Sequence, residues 1–252
     1  LGLVFQMYSG ESKGAKFPPR RIFNCDGTIS TTMIFDGDAV MPEYLSDVNT
    51  VWCPSWAKET DPLQRYDAAG NQNGIVEPCE LRKEPYHYNG FLIMDDFNIL
   101  GFDKIGVEGA DPGGRWQTAQ YGDTPWGELG RANTDPNKPG TASDTDFKVS
   151  SLHEGTQVGG GNTIYRLRQG IERFLITDIN NPGASAVAAS QVPILWDHIS
   201  VYVIDFAHVP GGGNVLYMDG HVDYIRYPGE RFPMTPDSAR IFGRYDRVMG
   251  GL

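Results

Sequence analysis

Leu1, Val4, Phe5 and Tyr8 are apolar at offsets of three and four, the spacing of one helical face, and Ser9-Gly10 and Lys13-Gly14 close the segment. The pattern predicts the end of a helix over residues 1–9, the last turns of a longer one that begins upstream. A different period marks residues 199–229. Asp219-Gly220 stands between two β-rich runs, the strongest short-range signal for a hairpin, because a two-residue type I′ turn needs positive φ at both central positions. That turn pairs Tyr217 with Val222 and Val215 with Tyr224, which puts these four on a core face. Asn214, Leu216, Met218, His221, Asp223 and Ile225 then fall on the other. The glycines at 211–213 precede the first strand and predict a place where another part of the chain approaches the backbone closely.

Elsewhere the apolar runs are short. Residues 91–94, 104–107, 172–178 and 200–205 read as strands, and residues 184–190 as one short helix. Thr235-Pro236-Asp237 reads as a helix start, with Thr as N-cap and Pro at the first position, giving a terminal helix to about Tyr245. Residues 109–146 are rich in Gly, Pro, Asp and Thr, with Leu129 an isolated aliphatic, and predict a long surface loop. The expected architecture is a single α+β domain over residues 1–252. A helix end packs on an antiparallel sheet that carries long loop insertions and a C-terminal hairpin.

Composition sharpens this picture in three places. With 40% hydrophobic residues the chain can bury a core, so it is globular. A net charge of −11, from 32 acidic and 21 basic residues, repels phosphate backbones, so no nucleic-acid partner is expected and bound cations are compatible. Three cysteines, Cys25, Cys53 and Cys79, allow one internal disulfide and leave one thiol. Cys53 and Cys79 flank one loop region and are the expected pair. No Cys-x-x-Cys spacing and no apolar run of membrane-spanning length occurs.

Among chemical motifs, residues 67–77 resemble a calcium loop. Asp67, Asn71, Asn73 and Glu77 offer side-chain oxygens, Ile75 its carbonyl, and Gly74 the sharp turn, so Ca2+ is the expected cofactor. Ala69 stands where a carboxylate is usual, which lowers the charge of the site. His208, Asp219 and His221 read as structural: Asp219 serves the turn, His221 stands beside it, and His208 holds the glycine loop closed. His87 lies between Tyr86 and Tyr88 as a packed ring, and His153 and His198 lack partners at ligand spacing. Gly-x-Ser-x-Gly, phosphate-loop and His-Glu-x-x-His patterns are missing, and Asp95-Asp96, read on a strand, would point to opposite faces; no enzyme is expected.

Several stretches resemble the pseudopilin-related family of prepilin-type proteins that end in a His…Asp-Gly-His domain. They are LGLVFQMY at 1–8, KFPP at 16–19, VWCPS at 51–55, residues 165–174 and 176–182, and the block from His208 through Gly212, Asn214, Asp219 and Gly220 to His221. Ten residues separate His208 from Asp219, one more than the family's usual nine. The resemblance implies an extracellular or cell-surface structural subunit whose partner is itself. It would build a helical filament or tube and meet a membrane only through an apolar N-terminal helix that this sequence does not contain. The alternative, from a different class, is a secreted carbohydrate-binding or hydrolytic protein with Trp116 and Trp126 of the long loop as sugar platforms.

Overall fold

The computed structural model describes residues 1–29, 32–56, 58–101, 124–175, 188–200, 205–208 and 211–243. The fold is α+β, built on a four-stranded antiparallel sheet in the order β1-β4-β5-β6 (β1 Tyr86–Tyr88, β4 Pro193–Asp197, β5 Gly212–Tyr217, β6 Val222–Arg226). A two-stranded ribbon, β2 Phe147–Lys148 with β3 Thr163–Ile164, lies apart from it. Helices are short: α1 Gly2–Glu11, α2 Gly37–Val40, α3 Pro62–Arg65, α4 Asp96–Leu100, α5 Pro125–Asn133 and α6 Pro236–Ser238. Among the described residues no helix is long and apolar enough to cross a membrane.

Both sheet faces are covered, and strand alternation divides the core between them. Val215 and Tyr217 of β5, with Trp196 and Ile225, face a cluster holding Phe91, Trp126, Leu129, Met234 and Phe242. Leu216 and Met218 face the opposite cluster with Phe5, Phe17, Phe35 and Tyr88. A register shift between Pro193 and Leu195 places Ile194 and Leu195 in that same second cluster. The helix α1 is seated on this side. Val4 and Phe5 are buried, Phe5 meets Phe35 edge-on at 5.3 Å, and Gln6 Nε2 donates to the Met218 carbonyl at 3.0 Å.

The hairpin forms one residue out of the expected register. Leu216 pairs with Val222, Val215 with Asp223 and Asn214 with Tyr224. The connection has three residues instead of two: Tyr217 N donates to the His221 carbonyl at 2.9 Å, and Gly220 alone takes positive φ, +93°. Asp219 stays out of the left-handed region, so this is a turn closed by a glycine bulge and not type I′. A slip of one residue exchanges the faces of β6. Val222 and Tyr224 are therefore exposed at 58% and 46%, and Ile225 is buried.

Other expectations are corrected as well. The disulfide joins Cys25 to Cys79, whose Cα atoms are 5.1 Å apart, while Cys53 is a buried free thiol packed with Trp56 and Ala207. The second half of the expected surface loop, residues 124–146, folds onto the body. Thr124 caps α5 through its hydroxyl, and Trp126, Leu129 and Ala142 enter the core. Trp126, 3% exposed, is no sugar platform, and Trp116 lies outside the described residues. Residues 91–94 contribute an isolated bridge from Phe91 to Arg166 and no strand, and the run expected at 172–178 begins as a 3-10 helix, Ile171–Leu175. Asp95 is the N-cap of α4, accepting from Asn98 N at 2.9 Å, and does not lie on a strand. The expected strand 104–107 and most of the runs at 184–190 and 200–205 fall outside the described residues. Thr235 caps α6 as expected from sequence, accepting from Ser238 N at 3.0 Å, and the chain continues as a wider turn over Ala239–Gly243.

Candidate functional site

Residues 67–80 form a tight polar loop between two 3-10 turns, Asp67–Ala69 and Pro78–Glu80. The buried Asp67 carboxylate accepts from Asn73 N at 2.9 Å and Gly74 N at 3.0 Å, and Gly74 takes φ +84°. Asn71 Oδ1 accepts from Asn73 N at 3.0 Å, Asn73 Oδ1 from Ile75 N at 2.9 Å, and Asn73 Nδ2 donates to Glu77 Oε1 at 3.1 Å. The loop closes on a further carboxylate, outside the expected ligand set. Glu80, 1% exposed, accepts from Asn71 N at 2.8 Å and from Glu77 N at 2.9 Å, and a Cβ on Gly70 would overlap its carboxylate.

A signal for Glu80 was present in the sequence. A twelve-residue calcium loop has Gly at its sixth position, a carbonyl ligand at the seventh and a bidentate Glu at the twelfth, and Gly74, Ile75 and Glu80 keep those intervals. Asn71 and Asn73 then take the third and fifth positions and Glu77 the ninth. Asp67 stands two residues before the first position, held by Ala69, and binds the backbone at Gly74 across that insertion. Asp67, Asn71, Asn73, Ile75, Glu77 and Glu80 are therefore the residues that could hold Ca2+. The carboxylates of Asp67, Glu77 and Glu80 do not lie within 4.8 Å of one another. Glu77 instead neighbours the sulfurs of Cys25 and Cys79, which are spent in the disulfide.

The other singled-out block divides between the two ends of the hairpin. At the turn, His221 Nδ1 meets Asp219 Oδ1 at 2.6 Å, and the His221 ring stacks on Tyr217 at 4.5 Å. At the far end His208 and Asn214 gather beside Asp197, the last residue of β4, while Gly212 lies against Ile225 and Tyr224 of β6. Asp197 Oδ2 accepts from Asn214 N at 2.7 Å and Nδ2 at 2.9 Å and lies 3.0 Å from His208 Nε2. His208 thus pairs with a carboxylate and an amide side chain. Gly213 makes the approach possible, because a Cβ there would stand 2.8 Å from Asp197 Cβ and 2.7 Å from Met234 Cε. Burial raises the Asp197 pKa, against the opposing pull of Asn214 and His208.

Comparison with protein-family models, with curated proteins and with solved structures finds no match.

Next to Asp197, His198 has a partner that sequence spacing could not show. His87 Nε2 and His198 Nδ1 are 2.8 Å apart, and His87 stacks on Trp196 with the ring planes 3° apart. Burial pushes both imidazoles well below their ordinary range, so the pair is neutral and one ring donates to the other. Glu84 approaches His198 at 3.6 Å but is engaged by Arg65 at 2.6 Å. The fifth histidine, His153, faces Glu128 at 3.5 Å.

Proposed function

We propose that the chain is an extracytoplasmic structural subunit of pseudopilin-like type that self-assembles into a filament or tube. The observation that carries this reading is the seating of α1. One face of the helix, Val4 and Phe5, is packed on the sheet, while Leu3 and Met7, four residues apart on the outer face, are 74% and 47% exposed. A second apolar pair, Val222 and Tyr224, is exposed on the edge strand β6. Two different patches on one subunit favour a heterologous contact, which propagates into a ring, tube or filament where a two-fold contact would stop at a dimer. The Cys25–Cys79 bridge favours an oxidising compartment. The resemblance of residues 1–8, 51–55 and 208–221 to pseudopilin-related proteins points the same way.

Substituting Leu3→Glu together with Met7→Glu tests the contact, since changes at such exposed positions alter stability by only about 0.5 kcal/mol each. Sedimentation velocity should show large assemblies for the parent chain and a folded monomer for the double variant. A variant that sediments like the parent would remove α1 from the interface.

Calcium in the loop around Asp67 would stabilise the folded subunit, by about 2.7 kcal/mol at a hundredfold excess over Kd. Thermal melting of chelator-treated protein should rise on adding Ca2+. Asp67→Ala should abolish that rise and, by removing the acceptor for Asn73 N and Gly74 N, lower stability by about 2 to 3 kcal/mol with or without the ion. An equal calcium response in the variant would move the ion elsewhere.

A further inference from the structure

We propose that Cys53, Asp197 and His208 form a zinc site. Their ligand atoms, Sγ, Oδ2 and Nε2, come from three separate segments of the chain and lie within 4.8 Å of one another. The Sγ to Nε2 separation is 3.7 Å. A tetrahedral zinc with bonds of ~2.3 Å to sulfur and ~2.05 Å to nitrogen holds those two atoms ~3.6 Å apart, so the sulfur and nitrogen already stand at coordination distance. Nε2 and Oδ2, at 3.0 Å, are as close as a hydrogen bond brings them and need part only by a few tenths of an ångström to reach the ~3.3 Å edge of the same tetrahedron.

The same geometry argues against a nucleophilic thiol. In a Cys-His-carboxylate relay the imidazole uses its two nitrogens, one toward the sulfur and the other toward the acid. Here the one nitrogen, Nε2, faces Cys53 and Asp197, with Asn214 Nδ2 at 3.2 Å, so the thiol and the acid meet at a single nitrogen, which is where a cation replaces a proton. Burial also raises the Cys53 pKa, the reverse of what an activated nucleophile needs, whereas a metal deprotonates a coordinating thiol outright. Binding would release the thiol proton to solvent and use the imidazole tautomer that carries its ring proton on Nδ1, leaving Nε2 to the metal. Thiolate and carboxylate together then balance the double charge of the ion. Asn214, donating twice to Asp197, holds the carboxylate in place as an outer-shell partner does. Cys53 and Asp197 are buried, and the His208 side chain, 24% exposed, leaves a path from solvent. The segments that meet here are VWCPS at 51–55 and the start of the His208 block, two of the stretches that resemble one family.

The test uses the whole chain with its disulfide intact, stripped of metal by a chelator and titrated with Co2+ and then Zn2+. Cys25 and Cys79 are bridged, so a thiolate-to-cobalt charge-transfer band can arise only at Cys53, and the oxygen ligands of the Asp67 loop cannot produce it. One equivalent of Co2+ should generate the band and one equivalent of Zn2+ should erase it. Cys53→Ser should remove it, and His208→Gln should weaken zinc binding more than ~100-fold, beyond what losing an outer-shell partner costs. Co2+ producing no thiolate band in the parent chain overturns the proposal, as does zinc binding equally well to Cys53→Ser. Neither result depends on whether the subunits assemble.

Discussion

Replacing Cys25 and Cys79 together by serine should lower the stability of the folded chain by about 4 kcal/mol, which for a chain of this size is a fall in melting temperature of about 10 °C. The bridge spans 54 residues, and closing so long a loop removes much of the freedom of the unfolded chain. The region it encloses leans on the bridge more than most, because its described residues contain α2, α3 and three short 3-10 turns and no strand. The calcium-loop candidate ends against Cys79, so the loss should extend to that loop. Peptide mapping of the native protein should recover the 25–79 pair and a free Cys53. A 53–79 pair, or a double variant within 1 kcal/mol of the parent, would contradict the covalent frame described here.

Arg166 should be the most costly single side chain to remove. It is fully buried just after β3, with its guanidinium over the Phe91 ring at 5.6 Å. Nη2 donates to the carbonyls of Phe17 at 2.8 Å and Pro18 at 3.0 Å, and Nη1 donates to Gly90. Three separate segments are thereby tied by one side chain. Arg166→Met preserves most of the packing but leaves three carbonyls without their charged donor, which should cost about 3 to 5 kcal/mol. Arg166→Lys should recover less than half, because one ammonium cannot reproduce the planar fork that reaches all three. Urea unfolding reads both values from the midpoint, provided the slope is unchanged. A loss under 1 kcal/mol for Arg166→Met would show that these contacts do not join the segments.

What the sequence disclosed and what it hid follow from the range of each interaction. The buried face of α1 was legible because helical period is local, and Val4 and Phe5 do face the core. The hairpin's place was legible too, but its register depended on whether Asp219 joins Gly220 in the left-handed region, and a short Asp-Gly step serves both a two-residue turn and a bulged three-residue one. α5 carried the same Thr-Pro start at 124–125 that marked α6 at 235–236, yet the density of Gly, Pro and Asp around it outweighed the cap. Arg166 had no local mark, since the carbonyls it ties together lie 76 and more residues away. The same distance hid Cys53 beside His208, 155 residues apart, and His87 beside His198, 111 apart. Among three cysteines spacing does not decide the pairing, and the packing of Cys53 with Trp56 and Ala207 did.

The polymerisation proposed for this chain is tested most directly by electron microscopy of the native protein. With calcium present and the disulfide intact, images should contain filaments or tubes of constant diameter with one helical repeat, lost in the Leu3→Glu, Met7→Glu variant. A field of separate particles of single-subunit size, at concentrations where the folded protein is abundant, would contradict it.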